Sequence, residues 1–455
     1  MSTEAVIGKM VENARKAQVV FETFSQEQVD AAVRAVGKAI YDNAEMLARM
    51  AVEETKIGNY DDKVMKNKGK AKATWYRLKG VKSRGILRRI EEQGLVEIAK
   101  PVGVVGAIMP VTNPTLTPVH NVMIALKGGN AIIMCPHPSA KQVSIKGVEL
   151  MNEALKKVGA PDNLVQVVED PSVEMSSGVM KAVDVCIATG GPGMVKATYS
   201  SGRPAYGVGA GNVQVLIDKD ADIPDAVKKL VTGRTYDNGI LCTCEQTAFC
   251  PRETVGKIVE ELKNAGGAYF DKPEDIEKIR KAVFPEGNIN KKLVGASAVK
   301  IAEAAGVTVP ANTKFLAVPV QKFGAEELLA KEKLFPVLAL YTYDKWADAV
   351  AGAITNLKLE GQGHSCVIHS FTTANIEYAA ERIPVSRFVV NQIGSSALGG
   401  AFYNGLNPTA TLGCGSWGNN SLSENLWFHH LINISRLAYM IPDAKIPTDE
   451  EIWND

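Results

Sequence analysis

Residues Tyr236 to Gln246 read Tyr-Asp-Asn-Gly-Ile-Leu-Cys-Thr-Cys-Glu-Gln, placing Cys242 directly after a turn-forming Asp237-Asn238-Gly239 and before polar Thr243. Structural thiols usually sit inside apolar runs, whereas a cysteine at a turn beside polar groups has the exposure that reactivity requires. The chemistry on offer is attack of a thiolate on an electrophilic carbon, with a covalent intermediate. A second constellation is Thr189-Gly190-Gly191-Pro192-Gly193, which follows the apolar run Val183-Ala188 and precedes a helical stretch from Met194. Strand, tight turn and helix in that order suit a phosphate or nucleotide at the helix N-terminus. Glycine also serves plain turns, so that loop has two readings. A third, Gly207-Val-Gly-Ala-Gly-Asn212, runs into the apolar Val213-Ile217 and has no helix dipole to offer; it reads as a surface for close approach or as a simple turn. Lys127-Gly-Gly-Asn130 reads as a helix C-cap.

The elements that must position these residues are legible in outline. Ser25 with Gln28 has the capping-box pattern, and Val29, Val33, Val36 and Ile40 repeat at helical spacing. Helices fill the first 80 or so residues. Leu95-Ile98, Gly103-Met109, Ala131-Met134, Leu164-Val168 and Val183-Ala188 then read as strands, separated by helices such as Ser144-Val158. Such alternation indicates an α/β protein with a parallel sheet covered on both faces, which binds ligands at the carboxyl ends of its strands. After Cys242 the pattern repeats: helices Glu253-Ala265 and Pro273-Val283, then strands Phe315-Val320, Val337-Leu340, Cys366-His369 and Arg387-Val390. The reading gives a cofactor-binding domain over 1–236, a thiol-bearing catalytic domain over 237–425, and a C-terminal arm over 426–455. Glu424-Ile434 reads as helical.

Composition excludes several classes. Fifty-one Lys plus Arg balance 50 Asp plus Glu, so no global field draws the chain to nucleic acid or a membrane surface. Lys63 to Arg89 is locally basic, with Trp75 and Tyr76 interspersed; it reads as a solvated helical face or a subunit contact. Seven cysteines are too few and too scattered for a disulfide framework. No signal peptide or membrane span is recognisable, so a cytoplasmic protein is expected. No His/Cys/Asp/Glu spacing suggests a metal site.

Thr112-Asn113-Pro114, Cys135-Pro-His-Pro138, Ala188-Thr-Gly-Gly191, Gly207 to Asn212, Tyr236 to Gln246, Glu332-Lys-Leu-Phe-Pro336, Gly363-His364-Ser365 and Thr411 to Gly418 occur in this order. Together they resemble the coenzyme A-acylating branch of the aldehyde dehydrogenase superfamily, most of all its acylating succinate-semialdehyde dehydrogenases. The resemblance implies a Rossmann-type cofactor domain, an α/β catalytic domain and a small oligomerisation arm, assembled as a homodimer or homotetramer. It implies that Cys242 is the nucleophile and Asn113 the amide donor to the oxyanion. Thr112, His137, Thr189, Gly190, Gly191, Gly207, Gly209 and Glu332 would meet NAD or NADP, with His137 placed to meet a 2′-phosphate. Thr243, His364, Arg387, Ser395, Ser396 and His120 are the candidates for aldehyde or coenzyme A. The loop Gly207 to Asn212 contains no acid where hydrolytic relatives keep a glutamate, so an enzyme-bound thioester would pass to coenzyme A rather than to water. A short anionic aldehyde is expected, succinate semialdehyde first; sulfoacetaldehyde, acetaldehyde and a non-catalytic scaffold are the alternatives.

Overall fold

A computed structural model describes residues 2–442 and 444–454. Four helices lead, Thr3–Glu22, Gln26–Asp42, Ala44–Thr55 and Tyr60–Leu78. The second begins with the expected box: Ser25 Oγ accepts from the Gln28 N–H at 3.3 Å, and the Ser25 N–H donates to Gln28 Oε1 at 2.9 Å. Its Val29, Val33, Val36 and Ile40 are all buried.

Strands β1 (Gly85–Ile90) and β2 (Leu95–Pro101) form an antiparallel hairpin. β3 (Val104–Ile108), β4 (Ala131–Cys135), β5 (Val165–Val167), β6 (Val185–Thr189) and β7 (Ala205–Val208) make a parallel sheet in the order β5-β4-β3-β6-β7. β8 (Val213–Ile217), β9 (Glu245–Pro251), β10 (Gly267–Tyr269), β11 (Phe315–Pro319), β12 (Val337–Tyr343), β13 (Cys366–His369) and β14 (Phe388–Val390) make a second parallel sheet, ordered β10-β11-β12-β9-β8-β13-β14. β15 (Ile432–Ala438) returns to pair antiparallel with β2. The second sheet is apolar on both faces: Leu216, Phe249, Leu316 and Ile368 pack to one side, Val215, Ala248, Phe315 and Val367 to the other.

Three expectations are corrected. Leu95-Ile98 lies in the antiparallel sheet, because Gly94 at φ 58° closes a tight turn back onto β1. The chain leaves the first sheet at Val208 and enters the second at Val213, so the crossing falls at residues 209–212 and not near 236. β7 is mostly and β8 wholly buried, which left no compositional step to mark it. Glu424-Ile434 is not a helix: a single 3₁₀ turn, Phe428–Leu431, leads into β15, whose β-branched Ile432 and Ile434 pair with Pro101 and Ala99. Leu426, Trp427, Phe428 and Leu431 belong to the core around the first sheet, so the expected arm is anchored over its first residues.

Candidate active site

The helix Ile223–Thr235 runs into a 3₁₀ turn, Tyr236–Gly239, in which Asp237, Asn238 and Gly239 have φ of 48°, 54° and 75°. Two consecutive non-glycine residues in the left-handed region are strained and persist only where surroundings fix them. Here Asp237 is fully buried, accepts the Asn59 N–H at 2.8 Å, pairs with Lys63 at 3.1 Å and also with Lys66. Its own N–H donates to Asp62 at 2.7 Å. Arg234, fully buried, holds the other side: it donates to the carbonyls of Gly239 (2.6 Å), Glu245 (2.8 Å) and Lys333 (3.0 Å) and to Gln246 Oε1 (2.6 Å). One guanidinium thus ties the turn, the start of β9 and the segment after Glu332 together.

Cys242 leaves that turn three residues before β9 and faces a cavity of about 270 Å³. It is half-buried rather than exposed as expected, and burial, followed by the nearby Glu332, pushes its thiol well above the ordinary range. Asn113, beyond the end of β3, lines the same cavity, as do Thr243, Ser395 and Ser396. The Asn113 Oδ1 accepts from Lys66 Nζ at 2.7 Å and its Nδ2 donates to Thr112 at 3.2 Å, which leaves one amide N–H for a ligand. Thr243 donates to the Ser395 carbonyl at 3.1 Å.

The basic helix contributes more than the solvated face expected of it. Lys63, Lys66 and Lys70 recur at helical spacing on one side of Tyr60–Leu78; the first two are buried, and Lys66 and Lys70 line the cavity. Lys70 donates to the carbonyls of Gly399 (3.0 Å) and Thr409 (2.7 Å), keeping a third N–H free, and burial lowers its pKa to about 8. No Asp or Glu is among the described residues that line this cavity. The i, i+3, i+7 spacing of 63, 66 and 70 was the signal in the sequence.

At the carboxyl ends of β3 and β6 the strand order reverses, the point where α/β sheets take nucleotides. Thr189 ends β6 and reaches Thr411 at 3.3 Å; Gly190 and Gly191 follow, and a Cβ on Gly191 would meet nothing within 4 Å. Helix Pro192–Tyr199 starts there. His137 stands exposed past β4, accepting the Ser139 N–H at 3.1 Å. Glu332 accepts the Gly211 N–H at 2.7 Å, and burial lifts its pKa to about 7. Gly211 makes the closest approach, since a Cβ there would collide with the Cys242 carbonyl. Gly209 has room. Gly207 is buried, with its N–H and carbonyl both bonded to Tyr199 Oη at 2.9 and 3.2 Å, so packing and not a ligand explains it.

Three substrate candidates are displaced. His120 is fully buried, bonded to Asn121 (3.1 Å) and the Pro408 carbonyl (3.0 Å), and burial drives its pKa down to about 3; it does not line the cavity. Arg387, also buried, donates to the carbonyls of His364 (2.8 Å) and Gly413 and serves as a clamp. His364 is buried outside the cavity, with neither ring nitrogen hydrogen-bonded. Cys244 packs away from Cys242, its thiol toward the Tyr236 carbonyl at 3.7 Å. Glu245, unforeseen, is fully buried; its carboxyl accepts the Gly394 N–H at 2.6 Å and so holds the segment that bears Ser395 and Ser396.

Residues 1–410 match the aldehyde dehydrogenase family. The succinate-semialdehyde dehydrogenase (acetylating) of Clostridium kluyveri is 51% identical over 453 residues, all of both chains. A sulfoacetaldehyde dehydrogenase from an Acholeplasma species is 42% identical, covering 98% of this chain and 93% of its own. The crystal structure of an acetylating aldehyde dehydrogenase from Geobacillus thermoglucosidasius superposes with a TM-score of 0.94 at 38% identity over 98% of each chain. That of a Rhodopseudomonas palustris propionaldehyde dehydrogenase with bound CoA and an acylated cysteine gives 0.86 at 30% identity, covering 95% of this chain and 97% of that one. With two parallel sheets meeting at a cysteine–asparagine cavity and full-length likeness to acylating members, this chain belongs to the acylating branch of the aldehyde dehydrogenase family.

Proposed function

We propose that the protein oxidises a short anionic aldehyde, succinate semialdehyde first, to its coenzyme A thioester with NAD or NADP, and runs the reaction reversibly. The observation that carries this is the cavity lining: a thiol, a side-chain amide, two lysines and, among the described residues, no carboxylate. In this reading the Cys242 thiolate adds to the aldehyde carbon. Asn113 and the Cys242 N–H stabilise the resulting oxyanion, a kind of donor pair whose single loss costs about 10²–10³ in rate. Nicotinamide, when bound, supplies the hydride acceptor. The cysteine thioester left behind has no positioned base to activate water, and the thiol of coenzyme A displaces Cys242, whose sulfur leaves as thiolate.

A dinucleotide at the carboxyl ends of β3 and β6 would be bordered by Thr112, Thr189, Gly190, Gly191 and Gly209, with Glu332 accepting ribose hydroxyls and exposed His137 meeting a 2′-phosphate. His364, fully buried with both ring nitrogens unpartnered, would have to be uncovered before it could meet coenzyme A. Lys70 with Thr243, Ser395 and Ser396 would hold the anionic tail, a role that Arg387 and His120 are too deeply engaged to take. A cavity of about 270 Å³ lies just below the about 300–1,000 Å³ of drug-sized sites and suits a short chain.

The active unit in this reading is a cytoplasmic homodimer or homotetramer, without nucleic-acid or membrane partner. Exposed Leu437, Tyr439, Met440 and Trp453 near the C-terminus support subunit contact. Seven unpaired thiols support a reducing compartment, and no described helix is long and apolar enough to cross a membrane. The test is purified protein with succinate semialdehyde, sulfoacetaldehyde or acetaldehyde and NAD or NADP, with and without coenzyme A. Reduced nicotinamide beyond one turnover only with coenzyme A, and best with an anionic aldehyde, is expected. Turnover without coenzyme A would overturn the acyl-transfer reading, and equal efficiency with acetaldehyde the anionic one.

A further inference from the structure

Glu424 lies just before the Leu412–Asn425 bridge, and His429 and His430 between that bridge and β15; none of them lines the catalytic cavity. Their side chains converge from both ends of a short turn. Glu424 Oε1 lies 3.0 Å from His430 Nε2 and 3.7 Å from His429 Nε2, and the three ligand atoms all fall within 4.8 Å of one another. Adjacent residues seldom share a target, but the 3₁₀ turn Phe428–Leu431 stacks the two imidazoles at 3.9 Å between centroids.

The rings are held rather than loose. His430 Nδ1 accepts the Trp427 N–H at 2.9 Å and lies 3.1 Å from the Trp427 carbonyl, which fixes the ring with its Nε2 toward Glu424. The Tyr206 ring packs edge-on to His430 at 5.9 Å and donates its hydroxyl to the His430 carbonyl at 3.0 Å; Phe428 packs edge-on to His429 at 6.0 Å. The geometry points to a binding site for a borderline divalent transition-metal ion, held by Glu424 Oε1, His429 Nε2 and His430 Nε2.

Two imidazoles and one carboxylate favour Zn²⁺, Co²⁺, Ni²⁺ or Cu²⁺ over Mg²⁺ and Ca²⁺, which take oxygen ligands. Half-exposed His429 leaves the outer positions to water, so the ion exchanges. Once bound it clips Glu424, whose carbonyl accepts the Gly413 N–H at 3.1 Å, to the start of the C-terminal strand.

The test uses chelator-stripped full-length protein carrying Cys242→Ala, so that the cavity thiol does not compete. Co²⁺ is followed by its visible spectrum, Zn²⁺ by competition with a chromophoric chelator, and both by the melting temperature. One equivalent with a nitrogen/oxygen spectrum, free of a thiolate charge-transfer band, is expected, with a rise in melting temperature. Glu424→Gln and His429→Ala change exposed side chains and should each weaken uptake by about 100-fold or more, beyond the about 10–100-fold typical of losing an orienting partner. Their melting temperatures without metal show whether they fold. Parent-like affinity in either variant, or no uptake by the parent, would overturn the site.

Discussion

The two parallel sheets present opposite ends to one cleft. The five-stranded sheet offers the carboxyl ends of β3 and β6, from which Asn113 and Thr189-Gly190-Gly191 emerge just before helix N-termini. The seven-stranded sheet offers the amino ends of β8 and β9, reached through Gly211 and Cys242. The first arrangement gathers N–H donors and positive helix ends, where negative charge is stabilised. The second supplies a nucleophile whose own anion is disfavoured by burial. In the proposed reaction, charge would therefore be welcomed where it develops, on the substrate oxygen and cofactor phosphates, and not where it rests beforehand.

Removing the amino-end group should have the largest effect. Cys242→Ala is expected to lower acyl-CoA formation by about 10⁴-fold or more, with no acyl adduct on the intact protein by mass spectrometry, while cofactor binding in the other sheet's crevice survives. Asp237→Ala strikes the joint between the sheets. It leaves Lys63 and Lys66 buried without their counter-charge, a change worth about 3–5 kcal/mol, to be read as lost denaturation free energy. Asn113→Ala should lower kcat by about 10²–10³ with a smaller change in KM, which separates oxyanion stabilisation from simple binding. Lys70→Met should raise KM for succinate semialdehyde by about 10–100-fold, the equivalent of a lost charged hydrogen bond, and leave propionaldehyde nearly unchanged.

The smallest effect concerns pH. Burial lifts the pKa of Glu332 to about 7, so it ionises as pH rises through that value and its proposed grip on ribose hydroxyls would strengthen; burial lowers Lys70 to about 8, and it loses its charge above that value. KM for the nicotinamide cofactor should fall several-fold between about pH 6 and 8, and KM for the anionic aldehyde should rise above about pH 8. Glu332→Gln should flatten the first trend and leave the second. If it flattened neither, the assigned roles would be wrong.

Much of this was legible in the sequence because it is local. Capping at Ser25, alternating apolar strands and the turn before Cys242 are decided within a few residues, and ordered motifs carried the family. What escaped depends on distance in the chain. Lys66 meets Asp237 and Asn113 across 171 and 47 residues, and Arg234 joins Glu245 to Lys333. A lysine's charge is visible in sequence; its burial is not. The crossing at 209–212 and the pairing of β15 with β2 were missed for the same reason, since strand partners are chosen by packing rather than propensity.

The crowded glycine loop also bears on how this scaffold could be redirected. A side chain at Gly211 would enter the Cys242 carbonyl, and one at Gly207 would press on the Tyr199 ring at 3.0 Å. At Gly209 the nearest neighbour of a Cβ is a Val195 methyl at 3.9 Å. Of that loop's three glycines, Gly209 is the one where an engineer seeking free acid instead of thioester could add a carboxylate side chain without a clash at Cβ.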